Sequence, residues 1–177
     1  FDGTLPFLPG CHKNASLGGF YEGVIQGHAP EANKTHIFEE ADPESWPRPE
    51  MQYDPDKDFY AARLTREMLG EDIHIGGWMG DGFSRAMQWF PSLDEALVGL
   101  LTDPVRFKAL IAYYDEEVAI SGRGQARFGR VESMHISSPY AGSTFISRDM
   151  YETFVLPSLT AAATAMHEEG IFCYVHT

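Results

Sequence analysis

Basic residues are scarce in this chain. Lys and Arg number 13 against 26 Asp and Glu, for a formal net charge of −13 over 177 residues. Such a surface repels phosphate backbones and anionic headgroups, which argues against nucleic acid and membrane surfaces as partners. Long apolar runs are missing too, and nothing approaches the ~20 residues that span a bilayer. The opening Phe1-Asp2-Gly3-Thr4-Leu5-Pro6 has no basic stretch of the kind that starts a signal peptide, and no initiator Met. Two cysteines, Cys11 and Cys173, make no disulfide framework, so a reduced, cytoplasmic setting is expected. In that setting the acceptor patterns at Asn14-Ala15-Ser16 and Asn33-Lys34-Thr35 read as chance. There is no phosphate loop, no His-Glu-x-x-His helix and no Gly-x-Ser-x-Gly elbow. Gly122-x-Gly124 falls inside a polar helical segment rather than after a strand, which excludes a dinucleotide fingerprint. Hydrophobic content of 44% and aromatic content of 13% nevertheless fit a globular protein.

The chain divides near residue 56. Residues 1–56 are rich in Gly, Pro, Asn and Asp, and Pro43, Pro47, Pro49 and Pro55 forbid a long helix. This part reads as an irregular segment with short strands at Tyr21–Gln26 and His36–Phe38. From residue 57 the pattern sharpens. Phe59–Leu69 reads as a helix closed by Gly70, where a left-handed residue is wanted, and Ile73–Gly77 as a strand. Trp78-Met79-Gly80-Asp81-Gly82 then reads as a loop, and Ser84–Phe90 as a short helix. Ser92 and Glu95 form a capping box before an apolar face of Leu93, Ala96, Leu97, Leu100 and Leu101. Asp103-Pro104 restarts the chain as N-cap and first helical residue. Phe107, Leu110, Ile111, Tyr114 and Val118 recur at helical spacing, and the helix runs past Gly122 and Gly124 towards Phe128. Val131–Ile136 is a strand, Ser137–Thr144 a small-residue loop and Ser147–Gly170 helical, with Pro157 kinking or dividing it. Ile171–Thr177 is a final apolar strand. Strands alternating with helices predict an α/β fold with a parallel sheet.

In such folds ligands sit at the C-terminal ends of the strands. His176 occupies one such end, where it could bind a metal or transfer a proton, or simply hydrogen-bond a neighbouring strand end. The loop with Ser138 and Tyr140 follows another strand. It suits contact with a polar small-molecule substrate, or it is a turn of ordinary turn formers. Asp81 is a further polar ligand group, although an exposed loop aspartate is the commoner case. His135, alternating with Met134 and Ile136, reads as structural, and His74 and Cys11-His12 are too isolated for a metal site.

From Asp103-Pro104 through Ser137-Ser138-Pro139-Tyr140-Ala141-Gly142-Ser143-Thr144-Phe145-Ile146-Ser147 to Phe154-Val155-Leu156-Pro157, and again at Glu168-Glu169-Gly170 and Tyr174-Val175-His176, the chain resembles the uroporphyrinogen decarboxylase superfamily. That superfamily includes the cobalamin-dependent methyltransferases. The resemblance covers about Phe59 to Thr177 and implies part of a (β/α)8 barrel, for which ~250 residues is typical; the alternative is a small open α/β sheet. It further implies a methyltransferase that passes a methyl group between a corrinoid, carried by a partner protein or substrate, and a thiol. In that branch a His-x-Cys pattern begins a zinc site, and His176 matches the histidine, with the cysteine falling just beyond Thr177. Zinc lowers a thiol's pKa and holds a nucleophilic thiolate. The decarboxylase branch grips polycarboxylates with an N-terminal Arg-rich motif that residues 1–56 lack, and Ser137-Ser138 stand where that family often ends the strand in an acid. On this reading the chain is an N-terminal piece of an enzyme, inactive alone, whose open side favours a homodimer.

Overall fold

The computed structural model describes residues 24–26, 38, 41–52, 54 and 58–177. Residues Cys11-His12, Asn14, Asn33, Tyr21–Gly23 and His36–Ile37 lie outside them. Two short strands, β1 (Val24–Gln26) and β2 (Glu50–Gln52), pair antiparallel. Helix α1 (Tyr60–Leu69) leads to β3 (Gly76–Met79), and the helices α2 (Gly82–Gln88), α3 (Leu93–Thr102) and α4 (Pro104–Gly129) follow. Then come β4 (Ser133–Ser137), α5 (Arg148–Met150), α6 (Leu156–Glu168) and β5 (Phe172–His176). Strands β3, β4 and β5 form a three-stranded parallel sheet in that order. The molecule is therefore mixed α/β with a parallel sheet, as the alternation of strands and helices predicts.

Helix starts follow their caps. Ser92 accepts from the Glu95 amide at 3.2 Å and Asp103 from the Arg106 amide at 3.0 Å. Ser147 accepts from the Met150 amide at 3.2 Å. Each satisfies an amide that has no partner inside its helix. Pro157 divides the last helical segment as expected. The turns before it, Tyr151–Val155, open into a π-helix, which gives room to a ring that would strike the carbonyl four residues back.

The sequence and the structure part at several places. The strand expected at Ile73–Gly77 lies at Gly76–Met79, so Trp78 and Met79 belong to the strand and not to a loop. The short helix expected at Ser84–Phe90 begins at Gly82. Phe38 sits in a tight 3-10 turn rather than a strand. Leu101 is 68% exposed, because the buried face of α3 runs through Ala96, Gly99 and Leu100. Gly70 has φ +77° with extended ψ, a conformation open to glycine but not that of a left-handed helix cap.

One face of the sheet carries Gly77, Met79, Met134 and Ile136, and it packs on α4 and α6. At Gly122 of α4 a Cβ would come within 2.6 Å of the Met166 side chain and 3.0 Å of Met79, so glycine there lets α4 lie against both α6 and the sheet. Phe38 and Trp46, from the first part of the chain, join this core through Phe90 and Phe107 and through Trp89 and Tyr113. At the N-terminal ends of the strands Arg66, only 4% exposed, donates to the carbonyls of Gly70 and Ile73 and to the Glu132 carboxylate at 2.7 Å. Glu132 also accepts from the Ile75 amide at 3.0 Å. That pin holds α1, β3 and β4 at the end of the sheet opposite to the candidate site.

Candidate functional site

The C-terminal ends of the three parallel strands bring Asp81, Ser138 and His176 to one edge. Asp81 follows β3 by two residues, Ser138 follows β4, and the Ser138 amide donates to the His176 carbonyl at 2.8 Å. Asp81 is not an exposed loop residue. It is fully buried and caps α2, accepting from the Ser84 amide at 2.5 Å and from the Ser84 hydroxyl at 3.3 Å. The shift of β3 along the chain explains this, since it leaves only Gly80 between strand and cap. Burial raises the Asp81 pKa above the ordinary 3.8, against the lowering effect of the adjacent Ser138 hydroxyl and of Ser84. Ser138 Oγ is itself fully buried, borders that carboxyl and makes no hydrogen bond of regular geometry.

Two residues on distant helices complete this cluster. Asp115 of α4 accepts from the Ser158 hydroxyl of α6 at 2.5 Å and from the Gly82 amide, and Ser158 in turn accepts from the Phe83 amide at 3.1 Å. The first three amides of α2 thus all point at side-chain oxygens. Burial pushes Asp115 up to about 6, and the nearby Asp81 charge adds to the shift, while Ser158 and the Gly82 amide work against it. Sequence reading missed both residues. A signal for them exists. Asp115 falls four after Ile111, and Ser158 falls four after Phe154 and four before Ala162, so each is polar at an otherwise apolar helical register.

A second group lines the other face of the sheet. Trp78, His135 and Tyr174 stand side by side across β3, β4 and β5 in register. The His135 and Tyr174 rings stack at 4.9 Å, and His176 meets His135 edge-on at 5.8 Å. Trp78, Tyr174 and His176 are exposed, and Phe172, on the same face, is 79% exposed. Tyr140 stays within its own loop, half-buried with its ring 6.4 Å from Phe145. Structure therefore joins Asp81 to Ser138 and His176 to His135, and leaves Tyr140 apart from both pairs.

Among the described residues no three of His, Cys, Asp and Glu stand close enough to hold a metal. His176 and His135 alone do not make a zinc site. A groove of about 830 Å³ lies elsewhere, between α4 and α6, with Asp115 on its wall. No helix among the described residues is long and apolar enough to cross a membrane. Compared with known proteins, the chain matches no family model and no curated relative.

Proposed function

We propose that the chain is part of a (β/α)8 enzyme of the uroporphyrinogen decarboxylase superfamily that moves a methyl group between a corrinoid and a thiol or similar acceptor. The observation that carries this reading is the contact row of His135, Tyr174 and His176, which runs from mid-strand to the C-terminal end of β5 on the face where Trp78 and Phe172 stay exposed. In α/β enzymes that end of the sheet is where ligands bind. The exposed rings offer a flat apolar surface to a planar macrocycle. The corrinoid, brought by a partner protein or as substrate, supplies the transferable methyl group. A neutral imidazole has one ring nitrogen that accepts a proton or hydrogen bond, so His176, with His135 behind it, takes the proton of the acceptor thiol or holds the acceptor by a hydrogen bond. Ser138 and Asp81 set the polar edge beside it. Zinc bound by His176 would need its further ligands from outside the described residues.

The decarboxylase alternative needs cations to grip carboxylates. Every described arginine already binds a carboxylate or a backbone carbonyl within the molecule. This weighs against a polycarboxylate substrate. The test is methyl transfer from methylcobalamin to small thiols, followed by absorbance with the full gene product. His176→Ala and His135→Ala are each expected to slow it roughly 10²-fold or more, the usual share of a positioned acid or base. No transfer by the unsubstituted protein, with carbon dioxide released from a polycarboxylate instead, would move the assignment to the decarboxylase branch.

A further inference from the structure

We propose that Asp81 and Asp115 together hold a single proton at the N-terminal turn of α2, and that its loss loosens the turn fixing Asp81 at the end of β3. The Ser84 amide donates to Asp81, the Gly82 amide to Asp115, and the Phe83 amide to Ser158, whose hydroxyl donates to Asp115, so both carboxyls close the same turn. The residues facing them are few. Ser84 of α2, Ser138 from the end of β4 and Ser158 of α6 border the two carboxyls, and Glu116, Arg123 and Glu168 line the groove that Asp115 also borders. Arg85 of α2 is committed to Glu117 at 3.0 Å and lies over the Tyr114 ring, and Arg123 of α4 is committed to Glu168 at 2.8 Å. Glu116 pairs outward with Arg48. No positive side chain therefore neutralises the two acids, and two ionised carboxylates in one buried site repel.

Ser138 stands at the Asp81 end of this pair. Its hydroxyl is fully buried beside Asp81 and lacks a regular hydrogen bond. A hydroxyl can donate or accept by rotating, so it accepts from Asp81 when that acid is protonated and donates to it when it is ionised. A metal cation is a poor substitute, because three inward-pointing amides and the positive end of the helix face the same place. Asp115 also lines the α4/α6 groove, which gives the proton a way out to solvent. With Asp115 pushed up to about 6 against 3.8 for the unfolded chain, the folded state binds this proton more tightly. The stabilisation is complete below 3.8 and is lost as pH rises through about 6.

The experiment is an NMR titration of the aspartate side-chain carboxyls in the whole chain, with Asp115→Asn and Asp81→Asn beside it. One carboxyl is expected to titrate near 6, to vanish in Asp115→Asn and to move downward in Asp81→Asn. The Gly82 and Ser84 amides are expected to lose exchange protection on going from pH 5 to pH 7, beyond the intrinsic pH effect. The melting temperature of Asp115→Asn minus that of the unsubstituted chain should rise by several degrees over the same interval. An Asp115 midpoint at the ordinary carboxylate value overturns the proposal, as does unchanged protection of the two amides. Restoration of the low-pH melt at pH 8 by sodium or magnesium would show a cation site instead. The titration of the unsubstituted chain decides the matter even if a variant fails to fold.

Discussion

A methyl group on Gly82 has nowhere to go. It would lie 2.2 Å from Asp115 Oδ1, 2.6 Å from the Asp115 amide nitrogen and 2.7 Å from the Ile111 carbonyl, and backbone atoms cannot step aside. Gly82→Ala is expected to cost about 1–3 kcal/mol or more in denaturant unfolding, as overpacking does. Gly142→Ala, with nothing within 4 Å of its Cβ, should change stability by less than about 0.5 kcal/mol; equal effects would show that the contact between α2 and α4 is not tight. At this scale the candidate site was half legible. Asp81, Ser138 and His176 stand next to recognisable strands, and their place at strand ends follows from local pattern. Asp115 and Ser158 do not, because the partners that give them meaning are far away in sequence. Only the fold shows that residues 81, 115, 138 and 158 share one cluster.

Strand β3 shows why an element can be misplaced by a few residues. Gly76-Gly77 resembles the end of a strand, since glycine packs poorly there. In the structure Gly77 is required, because a Cβ would meet Gln125 Oε1 at 2.6 Å and the Met134 side chain at 2.9 Å. Gln125 of α4 is the reason for that crowding. Its amide accepts from the Trp78 N–H at 3.1 Å and donates to the Trp78 carbonyl at 2.8 Å. Long-range contact of this kind leaves no local trace, whereas the N-caps Ser92 and Asp103, being local, were read correctly. Gln125→Leu would leave a buried donor and acceptor unpaired, and a loss of about 2–4 kcal/mol is expected with faster hydrogen exchange at Trp78. Unchanged exchange at that amide would remove the clamp from the account. At the other end of the strand Arg66→Met should cost a similar amount, roughly 2–4 kcal/mol, by freeing two carbonyls and Glu132. The Ile75 amide and then Arg66 hold Glu132 below the ordinary 4.5. Its contribution is present above 4.5 and fades as pH falls further, so the Arg66→Met deficit should shrink in acid melts. A deficit that stays constant with pH would mean that Glu132 has no share in it.

The molecule as a whole has a finished end and an unfinished side. Among the described residues β5 has no strand partner beyond β4, and Phe172, Tyr174 and Val175 are 79%, 54% and 48% exposed. Exposed apolar edges favour association, while a net charge of −13 opposes it. Self-association of this chain is therefore expected to rise with salt, as screening weakens the repulsion, and to fall in Val175→Lys; light scattering across a salt series measures both, and a monomer at every salt level would contradict it. The alternation of strands and helices made the parallel sheet legible in advance, but how far the sheet extends is a property of its edges and not of any local pattern. Here the Gln125 amide has a consequence for assembly. By occupying the outer hydrogen-bonding groups of Trp78 it fills the place of a neighbouring strand, so the sheet has a valence of one. A filament built through this sheet needs two complementary edges, and a three-stranded sheet with only its β5 edge open can pair with its own kind only about a twofold axis. Association should therefore stop at two copies, and unblocking β3 with Gln125→Ala should turn a terminating contact into a chain-growing one.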